Sequence, residues 1–212
     1  CVIFTKNPIK EELLSKYIRG KFSNKRNDYN YKSDMDIQLG KLWSMIWYKE
    51  KLTSKNIDTI VYDPKEKYFK DNNINQWQKG YPDISTILDD IISGNSYVLS
   101  KHSHTYGAMH FFIGIEPNYV RIYNGHWLTN TRHYGIIHRF VIDNNHKGNG
   151  YAKKLLDYAV NICKQSGTPS IRLDIEKNNK PMKEFILKNG FNYCGTIRLN
   201  NNEEREAYER LI

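Results

Sequence analysis

The sequence predicts an α/β protein in which helices flank a mixed β-sheet, with an extension at the N-terminus. From about Met45 onward, apolar segments of strand length alternate with amphipathic segments of helical period, in the order β-α-α-β-β-β-α-β-α-β-β. Residues 1–44 lack this regularity and contain a polar stretch at 23–30 that resembles a linker. We therefore divide the chain into an extension of unassigned role at 1–44, with room for one helix, and a domain at 45–212.

Turn and capping residues mark the elements in the first half of the domain. Asp83 can accept the first N–H groups of an amphipathic helix, and Gly94 can end that helix. Long loops in compact domains are often functional, so the aromatic residues of the loop at 116–132 are candidates for a functional role. The predicted elements are a strand at 45–48, helices at 53–61 and 83–93, strands at 97–99 and 106–115, and a loop at 116–132.

The second half of the domain has the clearest periodicity. The segment 134–142 is apolar and rich in β-branched residues, which is typical of a central strand buried on both faces. Pro181 suits the first turn of a helix, and Gly190 suits its end. The predicted elements are a strand at 134–142, a helix at 148–165, a strand at 170–175, a helix at 181–188, and a closing hairpin of strands at 193–199 and 205–211.

Composition excludes several classes of protein. The chain has 212 residues, of which 39% are hydrophobic, too many for a disordered protein. It has no run of about 18 apolar residues and no signal-peptide pattern at its start, so we predict a cytoplasmic location and no membrane partner. Three widely spaced cysteines make neither a disulfide framework nor a zinc pattern. The net charge of +9 is spread along the chain, which argues against a nucleic-acid-binding tract.

The strongest chemical signal is a glycine pair between a strand and a helix, in the segment Val141–Ala152. Gly148 and Gly150 at a helix entrance expose backbone N–H groups, and the helix dipole adds positive potential, so the segment can hold a pyrophosphate. Lys147 supplies a cation beside these groups. A helix start with no ligand is the alternative interpretation. The spacing matches neither a Walker loop nor the dinucleotide-binding glycine pattern.

With this segment the chain resembles the GNAT superfamily of N-acetyltransferases, and within it a bacterial group. The family carries [QR]-x-x-G-x-[GA] at this junction, where this chain has Lys-Gly-Asn-Gly-Tyr-Ala at 147–152, with lysine in place of Gln or Arg. Asn179 followed by Gly190-Phe191 matches a second family motif. The resemblance covers residues 45–212 and leaves 1–44 unexplained. It implies a sheet splayed at its centre and acetyl transfer from acetyl-CoA, with no metal.

The resemblance also implies which residues bind acetyl-CoA. The backbone of the 140–142 segment would pair with the pantetheine arm, the 147–153 segment would hold the pyrophosphate, and one asparagine would contact the cofactor beyond the splay. The residues are Phe140, Val141, Ile142, Lys147, Gly148, Asn149, Gly150, Tyr151, Ala152, Lys153 and Asn179. The side chains at 140–142 could equally be ordinary sheet core.

Candidates for proton transfer are fewer. Asp174 occupies a strand position where some family members carry a glutamate base, although it could instead be an ion-paired carboxylate. His138 lies in the strand beside the expected thioester path and could be a base or a hydrogen-bonded core histidine. The family's usual tyrosine acid corresponds to Ile186, so that role is vacant or has moved, with Tyr193 or Tyr151 as substitutes.

Acceptor recognition is assigned to aromatic loop residues, namely Trp77, Tyr119 and Trp127, which could instead only pin their loops. The predicted activity is acetyl transfer to a primary amine of a small molecule or peptide. The alternative is a module that binds CoA as a sensor without turnover. An exposed closing strand could support a homodimer.

Overall fold

The computed structural model describes Phe69, Ile74, Gln76, Tyr81, Pro82 and residues 84–101 and 104–212. The predicted extension at 1–44, the strand at 45–48, the helix at 53–61 and Trp77 lie outside the described residues. No helix within the described part of the chain combines the length and the apolar character that crossing a membrane requires.

The described residues form a six-stranded sheet and three α-helices. In chain order the elements are α1 (Ile84–Ile92), β1 (Ser96–Lys101), β2 (His104–Gly114), a 3₁₀ turn (Pro117–Tyr119), β3 (Tyr134–Ile142), a 3₁₀ turn (Asn144–His146), α2 (Tyr151–Gln165), β4 (Ser170–Ile175), α3 (Lys180–Lys188), β5 (Asn192–Arg198) and β6 (Glu204–Leu211). The strand order is β1-β2-β3-β4-β6-β5, and only β3 and β4 pair in parallel. The predicted α/β class with a mixed, helix-flanked sheet is confirmed.

One face of the sheet, here called the helix face, packs against α2 and α3. The apolar residues of α2 recur at helical spacing, and its buried side chains are Leu155, Leu156, Ala159, Val160 and Cys163. They contact strand residues such as Phe111, Ile137 and Leu173. Each large apolar side chain buried here stabilises the fold by about 1.5–3 kcal/mol. The helix face is therefore the main hydrophobic core.

The opposite face, here called the loop face, is covered by the loop 116–132. Tyr119 of this loop is buried against Tyr134, Ile136 and Ile197 of the sheet, and Trp127 packs on the same cluster. The Trp127 indole N–H donates to the Tyr119 carbonyl oxygen at 2.9 Å, which closes the loop on itself. The loop predicted from its aromatic content is thus ordered by those aromatic side chains.

Candidate functional site

The central strands of the sheet separate part-way along their length. The parallel ladder between β3 and β4 has two residue pairs, Gly135 with Ile171 and Ile136 with Arg172. On its other side β3 stays paired with β2 as far as Ile142. The part of β3 beyond Ile136 therefore has no strand partner on the β4 side within the described residues. This splay leaves backbone groups of β3 available to an extended ligand.

A bulge lies within the splayed part of β3. The β2–β3 register shifts between Ala108 and His110, so that Arg139 and Phe140 together face one residue of β2. Arg139 has φ of 48°, in the left-handed region that costs a non-glycine residue about 1–2 kcal/mol. Because of the bulge, Phe140 joins the helix face, where its ring stacks on Phe185 of α3 at 5.7 Å between centroids. The bulge thus reorients the strand at the splay.

The glycine pair lies at the start of α2. Gly148 and Gly150 have φ of 80° and 76°, and a Cβ added at either would meet no atom within 4 Å. Gly150 is the N-cap of α2 and makes no side-chain cap hydrogen bond, so the N–H groups of the first turn lack the capping partner that a helix usually has. Partial desolvation lowers the pKa of Lys147 beside them, although its side chain remains exposed. This arrangement is an open, positively polarised cradle that fits a phosphate group.

Within the cradle segment, side chains of the preceding turn are held in place. Asp143 accepts the Asn145 N–H at 3.1 Å and lies 2.6 Å from the His146 ring. Tyr151, the first residue of α2, stacks on Tyr106 of β2 with 4.4 Å between centroids. Lys153 forms an ion pair with Asp157 one turn along the helix. The helix begins at Tyr151 rather than at Gly148 because the two left-handed glycines form the loop before it.

His138 and Asp174 face each other where the splay opens. Each lies two residues beyond the last β3–β4 pair, on the loop face of its own strand. The His138 Nδ1 and the Asp174 Oδ1 are 3.9 Å apart. The Tyr119 hydroxyl, which is buried, donates to the same Asp174 oxygen at 2.6 Å. Burial and the adjacent Asp174 carboxylate raise the Tyr119 pKa well above its usual value, so the phenol remains protonated.

Sequence reasoning missed Glu116, which joins this group from the end of β2. Its Oε2 lies 2.9 Å from His138 Nε2, and its Oε1 accepts the backbone and side-chain N–H groups of Asn118. The only sequence signal was a carboxylate directly before Pro117, where a side chain commonly caps a short turn. We call Glu116, His138, Asp174 and Tyr119 the splay cluster.

A second polar group lies beside the splay cluster. The Asp90 carboxylate of α1 accepts hydrogen bonds from Arg139 Nε and Nη2, and the Arg139 Nη1 donates to the Tyr81 hydroxyl at 3.0 Å. His110 of β2 approaches Asp90 at 3.5 Å and stacks on His138 with 6.0 Å between ring centroids. Burial, the Arg139 charge and His138 lower the pKa of His110 to about 3, so its imidazole is neutral at physiological pH.

Of the other candidate residues, Asn179 and Tyr193 lie apart from the splay cluster. Asn179 is buried, accepts the Met182 N–H as the N-cap of α3, and donates to Gln76 at 2.8 Å. Tyr193 lies half-exposed on β5, which is separated from Asp174 on β4 by strand β6 and from His138 on β3 by β6 and β4. Ile186 is fully buried in the core. Tyr119 is held in the splay cluster by its hydroxyl. No group of three or more potential metal ligands occurs among the residues the structure describes.

Trp127 contributes to a clamp that holds the loop. The Arg172 guanidinium lies between the rings of Trp127 and Tyr134, at 4.4 and 3.9 Å from their centroids. Its Nε donates to Glu209, whose side chain is fully buried. Trp127 therefore packs on a buried ion pair and helps to pin the loop.

Comparison with known proteins shows which family this chain is similar to. The chain matches the model of the acetyltransferase (GNAT) family over residues 72–191, more than half of its length. A GNAT family acetyltransferase from Streptococcus agalactiae 2603 is 30% identical, with a TM-score of 0.62 over 69% of this chain and 83% of that chain. A GNAT family acetyltransferase from Staphylococcus aureus MU50 is 16% identical and shares the fold, with a TM-score of 0.50 over 76% of this chain and 96% of that chain. Comparison with curated protein sequences gives no match.

The chain therefore belongs to the GNAT family of acetyltransferases, and it is an acyltransferase. The resemblance stated from the motifs at 147–152 and at 179–191 is confirmed at the level of the family and of the fold.

Proposed function

We propose that this protein transfers the acetyl group of acetyl-CoA to a primary amine of a small molecule or peptide, by direct attack of the amine. The observation that carries the proposal is the uncapped N-terminus of α2, where two left-handed glycines adjoin the unpaired segment of β3. A phosphate group and an extended arm can be held there by backbone atoms alone. The family membership supports the same cofactor.

The cofactor would be held by three parts of the chain. N–H groups of Gly148 to Lys153, with the Lys147 ammonium nearby, would bind the pyrophosphate, since a helix N-terminus favours an anion. Backbone groups of Phe140, Val141 and Ile142 would pair with the pantetheine arm. Asn179, whose side chain already caps α3, would contribute at the far side of the splay. Acetyl-CoA supplies the acetyl group as a thioester.

Proton transfer is assigned to His138 and Asp174. An ammonium group must lose a proton before its nitrogen can attack a carbonyl carbon, and a neutral imidazole is a suitable base. His138 lies at the opening of the splay with Asp174 within 3.9 Å, where the carboxylate would stabilise the imidazolium. Tyr193 is separated from this position by two strands, so the proposal does not route a proton through it.

The acceptor would approach from the loop face. Tyr119 is anchored to Asp174 and Trp127 to the Tyr119 carbonyl, so these two residues would shape the edge of the acceptor site through the loop. Trp77 remains a candidate from the sequence. We further propose a bacterial, cytoplasmic enzyme, and leave the closing strand β5 as the edge at which a homodimer could form.

Calorimetry and turnover test the proposal together. Acetyl-CoA should bind with micromolar affinity, and a panel of amines should release free CoA thiol with a mass increase of one acetyl group on the product. The panel would include polyamines, aminoglycosides, amino acids and peptides. Absence of acetyl-CoA binding at millimolar concentration would overturn the assignment of the site.

The second candidate function is a sensor that binds CoA without turnover. Ile186 favours it, because this fully buried side chain takes the position of the family's usual tyrosine acid and cannot donate a proton. Repeated turnover on any amine in the panel would eliminate this candidate. Tight acetyl-CoA binding with no acetylated product on the whole panel would support it.

A further inference from the structure

We propose that Glu116 is a positioning residue that fixes the tautomer of His138, so that Nδ1 is the atom that accepts the proton of the amine. The inference rests on the proposed function, in which His138 is the base. It concerns a residue that the sequence motifs do not include.

The Glu116 carboxylate is rigidly placed. Its Oε1 accepts the Asn118 backbone N–H at 3.2 Å and the Asn118 side-chain amide at 2.9 Å. Its own backbone N–H donates to the Tyr134 hydroxyl at 3.2 Å, which ties the end of β2 to the start of β3. The side chain is only 12% exposed. The other oxygen, Oε2, is therefore directed at His138.

Glu116 is ionised at neutral pH. Burial acts to raise the pKa of its carboxyl, but the hydrogen bond and charge of His138 and the two Asn118 donors outweigh burial, so the pKa lies below its ordinary value. An ionised carboxylate can only accept hydrogen bonds. Its partner 2.9 Å away, His138 Nε2, must then carry a proton in the neutral ring. The lone pair of the neutral imidazole is left on Nδ1.

Nδ1 points to the place where the reaction is expected. It lies on the side of Asp174, at 3.9 Å from Oδ1, which is too long for a direct hydrogen bond. That oxygen already accepts the Tyr119 hydroxyl. Both His138 and Asp174 lie just beyond the last β3–β4 pair, so Nδ1 is next to the opening of the splay. Nε2 is taken up by Glu116 and cannot receive a proton from the amine.

The imidazole ring cannot easily turn to exchange its two nitrogens. His110 stacks on it with an interplanar angle of 11°, and the rings of Phe112 and Tyr119 lie at 6.3 and 5.9 Å. The charged and titratable groups around His138 are Glu116 after β2, Asp174 on β4, Tyr119 in the loop, His110 on β2, and the Asp90–Arg139 pair.

The proton and electron balance of the step is simple. The acceptor ammonium gives one proton to Nδ1, and its nitrogen lone pair forms a bond with the carbonyl carbon of the thioester. The carbon–sulfur bond breaks and the sulfur keeps its electron pair. The amide nitrogen loses its second proton, and the thiolate gains one, so that the products are the acetylated amine, the free thiol and one proton. Glu116 exchanges no proton in this sequence; it holds Nε2–H.

The decisive variant is Glu116→Gln. The glutamine oxygen can still accept from Asn118, while its amide N–H would donate to Nε2 and move the ring proton to Nδ1, which removes the base. We expect kcat to fall by about 10²-fold or more, as for loss of the correct tautomer in other histidine bases, with the acetyl-CoA affinity unchanged. Glu116→Asp keeps the charge and should recover part of the activity.

The tautomer itself can be read without turnover. Two-bond ¹H–¹⁵N correlation spectra of the histidine-labelled protein distinguish Nδ1–H from Nε2–H, and His138→Gln assigns the signal. We expect Nε2–H in the native protein and a change in Glu116→Gln. Glu204→Gln, on an exposed glutamate of β6, is the matched control and should change neither the spectrum nor the rate.

Three outcomes overturn the inference. The first is an Nδ1–H tautomer in the native protein. The second is a Glu116→Gln spectrum identical to the native one, and the third is acetyl transfer by Glu116→Gln at the native rate. Failure of the native protein to bind acetyl-CoA would instead overturn the proposed function, and the tautomer would still be measured. If Glu116→Gln does not fold, the native spectrum and Glu116→Asp decide.

Discussion

Arg139 and Asp90 form a bidentate ion pair, in which the guanidinium Nε donates to Oδ2 and Nη2 donates to Oδ1, each at 2.5 Å. Arg139 is also the residue at which β3 takes its left-handed turn. The two side chains are 9% and 15% exposed, so the ion pair is largely shielded from water. Helix α1 is thereby fastened to the bulge that reorients β3 at the splay.

Because this ion pair is buried, we expect removal of either partner to destabilise the fold strongly. Asp90→Asn should lower the free energy of unfolding by about 3–5 kcal/mol, because the guanidinium stays buried without its counter-charge. Arg139→Gln should have a comparable effect, since it leaves the carboxylate buried. The double variant should lose clearly less than the sum of the two, and urea denaturation of the four proteins measures the coupling. Additive losses would show that the two groups do not depend on each other.

The sequence was sufficient for the strands and helices of the described residues but not for this contact. Strand β3 was predicted with its observed bounds because a mainly apolar segment rich in β-branched residues ends at Asp143, and β4 was predicted equally well. The Asp90–Arg139 bond joins residues 49 apart, and its geometry depends on a bulge. Periodicity carries no information about a bulge, because one extra residue changes which face each later side chain occupies.

The splay cluster likewise contains residues that the sequence predicted and one that it did not. His138 and Asp174 were predicted from their strand positions, and the parallel register of β3 and β4 brings them together. Glu116 reaches His138 from a loop 22 residues away, through a turn whose direction is set by Asn118 and Tyr134. Such contacts follow from packing rather than from local pattern. The loop residue that hydrogen-bonds to His138 is therefore Glu116, which was not among the residues predicted from the sequence.

His110 predicts a dependence of stability on pH. Its pKa is about 3 in the folded protein, against 6.5 for the ordinary side chain. Between these values the unfolded chain binds a proton that the folded protein does not, so the stability is fully present above pH 6.5 and is lost as the pH falls. The loss should be about 2 kcal/mol between pH 7 and pH 5.

The variant His110→Gln isolates this contribution. It removes the titrating group while keeping a polar side chain beside Asp90, so the decline from pH 7 to pH 5 should become shallower by about 2 kcal/mol. The measurement is urea denaturation at several pH values. His133→Gln, in the exposed part of the loop before β3, is the control and should follow the native curve. An equal decline in native protein and His110→Gln would contradict the prediction.

Glu209 predicts how the loop 116–132 is held. Its buried carboxylate accepts hydrogen bonds from the Leu128 N–H at 2.5 Å, from the Thr129 N–H and hydroxyl, from Ser170 and from Arg172. Glu209→Gln puts an amide donor among these donors and leaves Arg172 without its anion. The expected loss of stability is about 3–5 kcal/mol.

Hydrogen exchange tests the local part of the Glu209 prediction. The amides of Leu128 and Thr129 should exchange faster in Glu209→Gln by more than the change in global stability explains, because they lose their acceptor. Glu204→Gln changes a glutamate at the start of the same strand whose side chain is 62% exposed, and it should cost less than about 0.5 kcal/mol. Unchanged protection at Leu128 and Thr129 would show that the loop is held by its aromatic side chains alone.

The phosphate cradle can be tested with two variants that introduce the same backbone strain, one at the cradle and one far from it. Gly150 at the start of α2 and Gly167 after its end have φ of 76° and 67°, and a Cβ at either position meets nothing within 4 Å. Alanine at each position should therefore lower the free energy of unfolding by a similar amount, about 1–2 kcal/mol, because of the left-handed conformation alone. Only Gly150→Ala places a methyl group in front of the uncapped N–H groups, so only this variant should weaken acetyl-CoA binding, by about tenfold or more.

A second pair of variants makes the same comparison with an added negative charge. Gly148→Glu adds a carboxylate at the cradle, where it would repel the pyrophosphate and compete for the N–H groups of the first turn, so acetyl-CoA binding should be abolished. Gly167→Glu adds the same charge at the opposite end of the helix and should leave the affinity within about twofold of the native value. Calorimetry on the four glycine variants separates the two effects, because stability would fall in all of them and affinity in only two. Native affinity in Gly148→Glu would place the pyrophosphate away from the N-terminus of α2.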